Sequence, residues 1–213
     1  MLNAELFISM EVCFTNMLSL MRQLVLQTNS AFRTHNSAFN IKFTTLIRLT
    51  LTRIGLISDT HNYLDETVFE YFKNCTEIWH AGDFGNITIA DELIAKSGVP
   101  LRGVYGNIDG TDIRSFYPEK LHFTCEDVHV FMRHIGGYPG KYAAGVKDEI
   151  IKNQSTLFIS GHSHILKVMY DDKINCLHMN PGAAGKQGWH KARTIIRFVI
   201  DGKEMKDCEV IEL

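Results

Sequence analysis

The sequence predicts an α/β fold with four layers, α-β-β-α, in which two mixed β-sheets pack face to face between helices. Two observations lead to this prediction. Between residues 54 and 106, strand and helix patterns alternate as β-α-β-α-β, which is typical of parallel strands joined by right-handed crossovers. From residue 121 onward, strand patterns lie on either side of short turn sequences, which is typical of antiparallel hairpins.

The first half contributes three strands and two helices. The predicted strands are largely apolar runs at residues 54–58, 77–80 and 101–106. Residues 65–73 predict a helix that begins at Asp65, a residue suited to a helix N-terminus, and that carries its apolar side chains on one face. Residues 87–98 predict a second helix, which is closed by Gly98.

The second half contributes hairpins, one helix and one further strand. Residues 121–134 predict a hairpin. A helix is expected over residues 144–153, and a strand over residues 156–160. Two later hairpins are predicted at the turn sequences Asp-Asp-Lys (171–173) and Asp-Gly (201–202). Hairpins that follow parallel units indicate a second sheet, which packs against the first.

Composition places the chain among ordinary globular proteins, since 45% of its residues are hydrophobic and 22% are charged. The formal net charge of −2 provides no basic field, so we expect no nucleic acid partner. Five cysteines are scattered without a C-x-x-C spacing, which indicates small core residues in a reducing compartment, not disulfides or zinc ligands. They are Cys13, Cys75, Cys125, Cys176 and Cys208.

Residues 1–53 differ from the rest of the chain. Their five basic and two acidic residues give a charge of +3, which leaves −5 for residues 54–213. The apolar stretch at residues 17–26 is interrupted by Arg22 and is too short to cross a membrane. The composition is compatible with an organelle transit peptide, but it contains no clear secretory signal. We expect an N-terminal extension outside the fold, a domain over residues 54–213, no membrane association and a cytoplasmic location.

Residues able to bind metal ions follow the predicted strands directly. In open α/β sheets, ligand sites lie at the carboxyl ends of strands. The mixture of oxygen and imidazole ligands suits Mn, Fe, Ni, Co or Zn. Seven ligands are too many for one ion, but they suffice for two ions if one carboxylate bridges. The candidate ligands are Asp59, His61, Asp83, Asn107, His134, His162 and His164, and Asp109 follows Asn107 by two residues.

Each of these motifs has an ordinary structural interpretation when it is taken alone. An Asp-x-His sequence after a strand is more often a turn than a ligand pair, and Gly-Asn-Ile-Asp is compatible with a type I′ or II turn. Gly-His-Ser-His is equally compatible with either interpretation. The joint occurrence of the motifs, each time after a strand, is what favours a metal site.

The ordered motifs resemble the signature of the calcineurin-like metallophosphoesterases. The signature comprises D-x-H at 59–61, G-D at 82–83, G-N-x-D at 106–109, a histidine at 134 and G-H-x-H at 161–164. The resemblance extends from Ile54 to about Leu213. It points to a small single-domain bacterial and archaeal phosphodiesterase branch, which is related to the retromer scaffold subunit.

The resemblance implies a site for two divalent ions, with manganese preferred and nickel, iron, cobalt or zinc as alternatives. One ion would be bound by Asp59, His61, Asp83 and His164, and the other by Asp83, Asn107, His134 and His162. A hydroxide that bridges the ions would attack a small phosphodiester in line, with Asp83, Asn107 and Asp109 as catalytic residues. The rival functions are a non-catalytic protein-binding scaffold of the same fold and a phosphomonoesterase.

Two departures from the family pattern affect these expectations. Many members have a histidine after the Gly-Asn pair, whereas this chain has Ile108, which cannot donate a proton to a leaving group. Leaving groups of low pKa, and hence phenolic diesters, should therefore be favoured over alkyl monoesters. Asp109 is also expected to orient His61 or a water molecule. The second departure follows His134, where His-Ile-Gly-Gly replaces a frequent His-Gly-His.

Overall fold

The computed structural model describes residues 51–213. The predicted extension over residues 1–53 therefore lies outside the described residues except for its last three. Strand β1 (Thr52–Ile57) begins two residues before the predicted start of the domain. Within residues 51–213, no helix is both long enough and apolar enough to cross a membrane.

The first sheet is built around the predicted parallel unit. Its strands are β1, β2 (Glu77–His80), β3 (Leu101–Gly103), β11 (Thr194–Asp201) and β12 (Glu204–Glu212). They lie in the order β12-β11-β1-β2-β3. The first three strands of the chain run parallel, whereas β11 is antiparallel to both of its neighbours. The last predicted hairpin therefore extends the parallel sheet along its β1 edge.

The second sheet contains the other predicted strands. They are β4 (Lys120–Cys125), β5 (Val128–Arg133), β8 (Leu157–Ile159), β9 (Lys167–Asp171) and β10 (Cys176–Asn180). Their order is β4-β5-β8-β10-β9, and the central strand β8 is parallel to both neighbours. A small separate hairpin, β6 (Gly137–Tyr138) and β7 (Lys141–Tyr142), was not predicted from the sequence.

Four helices are described. They are α1 (Thr67–Phe72), α2 (Ile87–Ser97), α3 (Thr111–Arg114) and α4 (Val146–Lys152). Helix α2 begins where the Asn86 side chain accepts a hydrogen bond from the Thr88 amide, and it ends at Gly98, whose φ of 69° is left-handed. Helix α3 has four residues, which is too short for a periodic apolar pattern, and it was not predicted.

Alternating side chains along the strands separate three apolar layers. Ile54 and Leu56 of β1 pack with residues of β5 and β8 between the two sheets. Ile57 instead joins the cluster that packs beneath α1 and α2. On the far side of the second sheet, Phe131 and Phe158 pack against α4. Because side chains alternate along a strand, each sheet buries both faces, and the predicted four-layer α-β-β-α fold is confirmed.

The cysteines follow the expectation of small core residues in three of the four described cases. Cys75, Cys125 and Cys176 are buried, whereas Cys208 is exposed on β12, so the prediction is wrong for Cys208. Cys208 lies on an edge strand whose side chains are mostly exposed. Cys13 lies outside the described residues.

Candidate metal centre

The structure gathers six of the seven predicted ligands into two adjacent groups. The groups are Asp59, His61 and His164, and Asp83, His134 and His162. Within each group, one ligand atom from every residue lies within 4.8 Å of the others. The ligands come from the ends of strands in both sheets, so the site lies where the carboxyl ends of these strands meet.

Five of the predicted ligands have left-handed backbone conformations. Their φ angles are 53° for Asp59, 47° for His61, 58° for Asp83, 68° for His162 and 56° for His164. A side chain at positive φ is uncommon and costs about 1–3 kcal/mol, and such residues cluster at functional sites. The concentration of these conformations at the strand ends therefore indicates a functional site.

Hydrogen bonds from the backbone hold these loops together. The Asp59 amide donates to the Gly82 carbonyl at 2.9 Å, and the His61 amide donates to the Asp83 carbonyl at 3.1 Å. The loops after β1 and β2 are thus joined along their length. The His162 amide donates to Asp59 Oδ2 at 3.1 Å, which connects the second sheet to the first. The last of these bonds orients the Asp59 carboxylate.

The first ligand group converges on the Asp59 carboxylate. His164 Nε2 lies 3.2 Å from Asp59 Oδ1 and 3.1 Å from His61 Nε2. The other Asp59 oxygen accepts a hydrogen bond of 2.6 Å from Ser58 Oγ, and both residues are fully buried. The sequence interpretation missed Ser58, although its position directly before Asp-x-His was visible. The hydroxyl fixes the orientation of the carboxylate toward the two histidines.

Asp83 lies between the two groups. Its Oδ2 atom is 3.2 Å from His134 Nε2 in its own group and 3.6 Å from His61 Nε2 in the other. His134 and His162 approach edge to face, with ring centroids 5.3 Å apart. The Asp83 carboxylate is therefore close to a histidine of each group.

The tautomer of His134 tests whether this site fits a cation. Its Nδ1 atom is 2.8 Å from the Ala81 carbonyl, which can only accept, so Nδ1 carries the hydrogen. In the neutral ring, Nε2 then presents a lone pair, and this buried atom has no hydrogen-bond partner among the described residues. It lies 3.2 Å from an Asp83 oxygen, which is also an acceptor. Two facing acceptors are stabilised by a positive charge between them, which a bound metal ion supplies and which a proton on Nε2 supplies when no ion is bound.

His190 orients His164, as the Ala81 carbonyl orients His134. The Nε2 atom of His190 donates to the Gly185 carbonyl at 3.0 Å, which leaves Nδ1 of the neutral ring as an acceptor. That atom lies 3.3 Å from His164 Nδ1, so His164 Nδ1 donates and its Nε2 lone pair faces the carboxylates. Gly188 makes room for this contact, since a Cβ there would be 2.3 Å from His164 Nδ1. The sequence interpretation assigned no role to His190, because no local pattern connects it with His164.

Burial and the neighbouring carboxylates shift the pKa values of four of the ligands in different directions. Burial acts to raise the pKa of Asp83, but His134 and the Ile108 amide outweigh it and hold that pKa below its usual value. Burial acts to lower the pKa of His134, but the Asp83 and Asp59 carboxylates raise it overall. The Asp59 carboxylate, which favours the protonated ring, raises the pKa of His164, whereas burial lowers that of His61. Asp83 is therefore ionised at neutral pH and attracts positive charge.

The Gly-Asn-Ile-Asp segment lies against Asp83. The Ile108 amide donates to Asp83 Oδ1 at 3.1 Å, while the Asn107 side chain is exposed. The buried Asp109 carboxylate accepts from the Gly85 amide at 2.8 Å and from the Gly106 amide at 2.7 Å. Asp109 therefore joins the loops that follow β2 and β3, and its oxygens are directed at backbone amides instead of at His61.

Replacing His190 by alanine is expected to weaken metal binding about 10- to 100-fold, which is typical for loss of a partner that orients a ligand histidine. The measurement is competition for Mn²⁺ or Zn²⁺ against a chromogenic chelator. Trp189→Ala is the matched control, because Trp189 lies in the same loop with a fully exposed side chain. Equal metal affinity for the two variants would show that His190 does not orient His164.

Comparison with known sequences identifies relatives along most of this domain. A sequence model of the calcineurin-like phosphoesterase superfamily domain matches residues 52–203. A protein of Methanothermobacter thermautotrophicus, described as a probable metallophosphoesterase, is 31% identical over 166 residues, which cover 74% of this chain and 91% of the relative. A probable metallophosphoesterase of Methanocaldococcus jannaschii is 31% identical over 137 residues, which cover 61% of this chain and 67% of the relative.

Solved structures share the fold. Vps29 of Entamoeba histolytica, solved in complex with Zn²⁺, aligns with a TM-score of 0.59 and 13% identity over 76% of this chain and 99% of that one. A predicted phosphoesterase of Streptococcus pneumoniae aligns with a TM-score of 0.54 and 17% identity, over 78% of this chain and 99% of that one. Such identities establish the fold alone. The fold, the two ligand groups and the sequence matches lead to one conclusion: the chain belongs to the calcineurin-like phosphoesterase superfamily, and the matches support a metal-dependent phosphoesterase.

Proposed function

We propose that the protein is a two-metal phosphodiesterase that hydrolyses a small phosphodiester, with manganese as the preferred metal. The observation that carries this proposal is the position of Asp83, whose Oδ2 atom lies within 3.6 Å of a histidine from each ligand group. Asp59, His61 and His164 would hold one ion, and His134 and His162 the other. Asp83 would bridge them, and Asn107 would complete the second set.

Two divalent ions at such a site supply Lewis-acid chemistry and make water a nucleophile at neutral pH. The residues of the chain prepare that chemistry. The Ala81 carbonyl and His190 hold His134 and His164 with their Nε2 lone pairs directed inward. The hydrogen bonds to Asp59 and Asp83 fix the carboxylates, so little reorganisation accompanies binding of the substrate.

Ile108 supports a preference for diesters with good leaving groups. Its amide contacts Asp83, so the residue borders the site, and its side chain is 43% exposed there. An aliphatic side chain cannot protonate a departing alkoxide, so leaving groups that need no proton should react fastest. A phenolic diester meets this condition, whereas an alkyl monoester does not. A non-catalytic scaffold of the same fold is the alternative function, and the likeness to Vps29 leaves it open.

The test compares bis-p-nitrophenyl phosphate with p-nitrophenyl phosphate, using metal-stripped protein to which Mn²⁺, Ni²⁺, Mg²⁺ or Zn²⁺ is added back. Hydrolysis that depends on metal and favours the diester is the expected result. Faster turnover of the monoester would assign a phosphomonoesterase instead. Metal binding without turnover of either ester would assign the scaffold function.

The preference for manganese and the cytoplasmic location remain predictions. The expectation that the protein binds a small phosphoester, and neither nucleic acid nor a membrane, is also a prediction.

A further inference from the structure

A cavity of about 310 Å³ lies beside the metal centre. His162, the exposed member of the second ligand group, forms part of its wall, so the cavity borders the proposed position of the substrate phosphate. Ile135 and Ile165, which directly follow the ligands His134 and His164, line it as well. These apolar side chains suit the organic part of an ester.

The β6–β7 hairpin forms another wall of this cavity. Gly137 allows the tight turn into the hairpin, because its φ is 72° and a Cβ there would be 2.2 Å from the Lys141 carbonyl oxygen. Tyr138 pairs directly with Lys141 across the hairpin, and directly opposed residues project from the same face. Both residues line the cavity. The hairpin therefore presents an aromatic side chain and a lysine side chain on the same face.

A second lysine adds to this positive charge. Lys167 lines the cavity and holds its ammonium 3.5 Å from the centroid of the Tyr138 ring. Within residues 51–213, neither Lys141 nor Lys167 forms an ion pair with a carboxylate, whereas Lys96 and Lys120 do. The cavity lining thus includes two lysines whose ammonium groups form no ion pair with a described carboxylate. Bound metal ions would neutralise the scissile phosphate, so the lysines are free to bind a different anion.

We propose that the cavity binds a second anionic group, a phosphate or a carboxylate, carried by the organic part of the substrate. The inference rests on the proposed function and narrows its substrate class to phosphodiesters with an additional negative charge. Lys141 and Lys167 bind the anion, while Tyr138, Ile135 and Ile165 contact the organic group that connects it to the scissile phosphate.

The test uses substrates that share one leaving group and differ by one charge. The reference is 4-nitrophenyl phenyl phosphate, and its analogues carry a carboxylate at position 3 or 4 of the phenyl ring. We expect kcat/KM to be about tenfold higher for at least one carboxylate ester than for the reference, mainly through KM, and the preference to decline at high salt. The double variant Lys141→Gln/Lys167→Gln should lose the preference and still hydrolyse the reference.

Lys152→Gln is the matched control, because it removes a positive charge from the exposed end of α4 without altering the cavity lining. Equal kcat/KM for all three esters, or a preference retained by the double variant, would overturn the inference and leave the phosphodiesterase intact.

Binding measurements separate the two proposals if no ester reacts. Calorimetry would compare phenylphosphonate with its 3- and 4-carboxy derivatives on metal-loaded protein. If a carboxy derivative binds more tightly than phenylphosphonate, and the double variant does not show this difference, the anion site is supported. The phosphodiesterase proposal would then fail on its own. Equal affinities for the phosphonates would overturn the anion site as well.

Discussion

Replacing Asp83 by asparagine is expected to lower kcat/KM for bis-p-nitrophenyl phosphate by about 10³-fold or more. The substitution keeps the size of the side chain but removes the negative charge that lies within 3.6 Å of both His134 and His61. Metal ions contribute several kcal/mol to the stabilisation of a phosphoryl transition state, and each 1.36 kcal/mol corresponds to a tenfold change in rate. A neutral amide cannot bridge two cations as a carboxylate does.

The measurement is kcat/KM at saturating Mn²⁺, together with the number of Mn²⁺ ions bound at equilibrium. Asp127→Asn is the control, since it removes the same charge from an exposed turn at the β4–β5 hairpin. The expected stoichiometry falls from two ions to one or none in the Asp83 variant and stays at two in the control. Activity within tenfold of the unaltered protein would exclude Asp83 as the bridge.

Gly106→Ala is expected to damage the same site through steric conflict alone. An added Cβ would lie 2.0 Å from Asp83 Oδ1 and 2.4 Å from the Asp83 backbone nitrogen. The backbone atom cannot move without disturbing the bond between the His61 amide and the Asp83 carbonyl. We expect metal affinity to fall by more than about 100-fold and the free energy of unfolding to fall by about 1–3 kcal/mol, as for other overpacked sites.

Gly110→Ala is the matched control for this steric effect. Its Cβ would meet only the end of the Asp112 side chain, at 2.9 Å, and that side chain can rotate. Urea unfolding without metal and calorimetric Mn²⁺ titration together measure both losses. If the Gly106 variant binds Mn²⁺ as tightly as the Gly110 variant, the close packing of residue 106 against Asp83 does not control the site.

Much of the fold follows from local sequence patterns. The short strand pattern at residues 77–80 predicted β2 at its observed bounds, and the Asp-Gly sequence predicted the turn between β11 and β12. Strand β3 ends at Gly103, three residues before its predicted end, because the Tyr105 amide donates to the Pro118 carbonyl instead of pairing with β2. No local pattern signals that change of partner. Helix α3 and the β6–β7 hairpin are similarly too short to show periodicity.

Some features of the candidate site could likewise be predicted from local sequence, whereas others depend on contacts between distant residues. Six predicted ligands meet because the carboxyl ends of parallel strands meet, and strand ends are visible in the sequence. The contact of His190 with His164 depends on how a loop of the chain folds back over 26 residues, which the sequence does not reveal. The partners of Asp109 were also beyond prediction, because two backbone amides from separate loops bind it.

The left-handed ligands have a consequence for how this sequence can evolve. Glycine adopts positive φ without strain, so it would relieve the backbone at Asp59, His61, Asp83, His162 and His164. A lineage selected only for folding would drift toward glycine or asparagine at these positions, since most proteins retain only the stability they need. This sequence instead carries aspartate or histidine at all five positions, so its metal-binding side chains stand on backbone that costs about 1–3 kcal/mol of strain per residue.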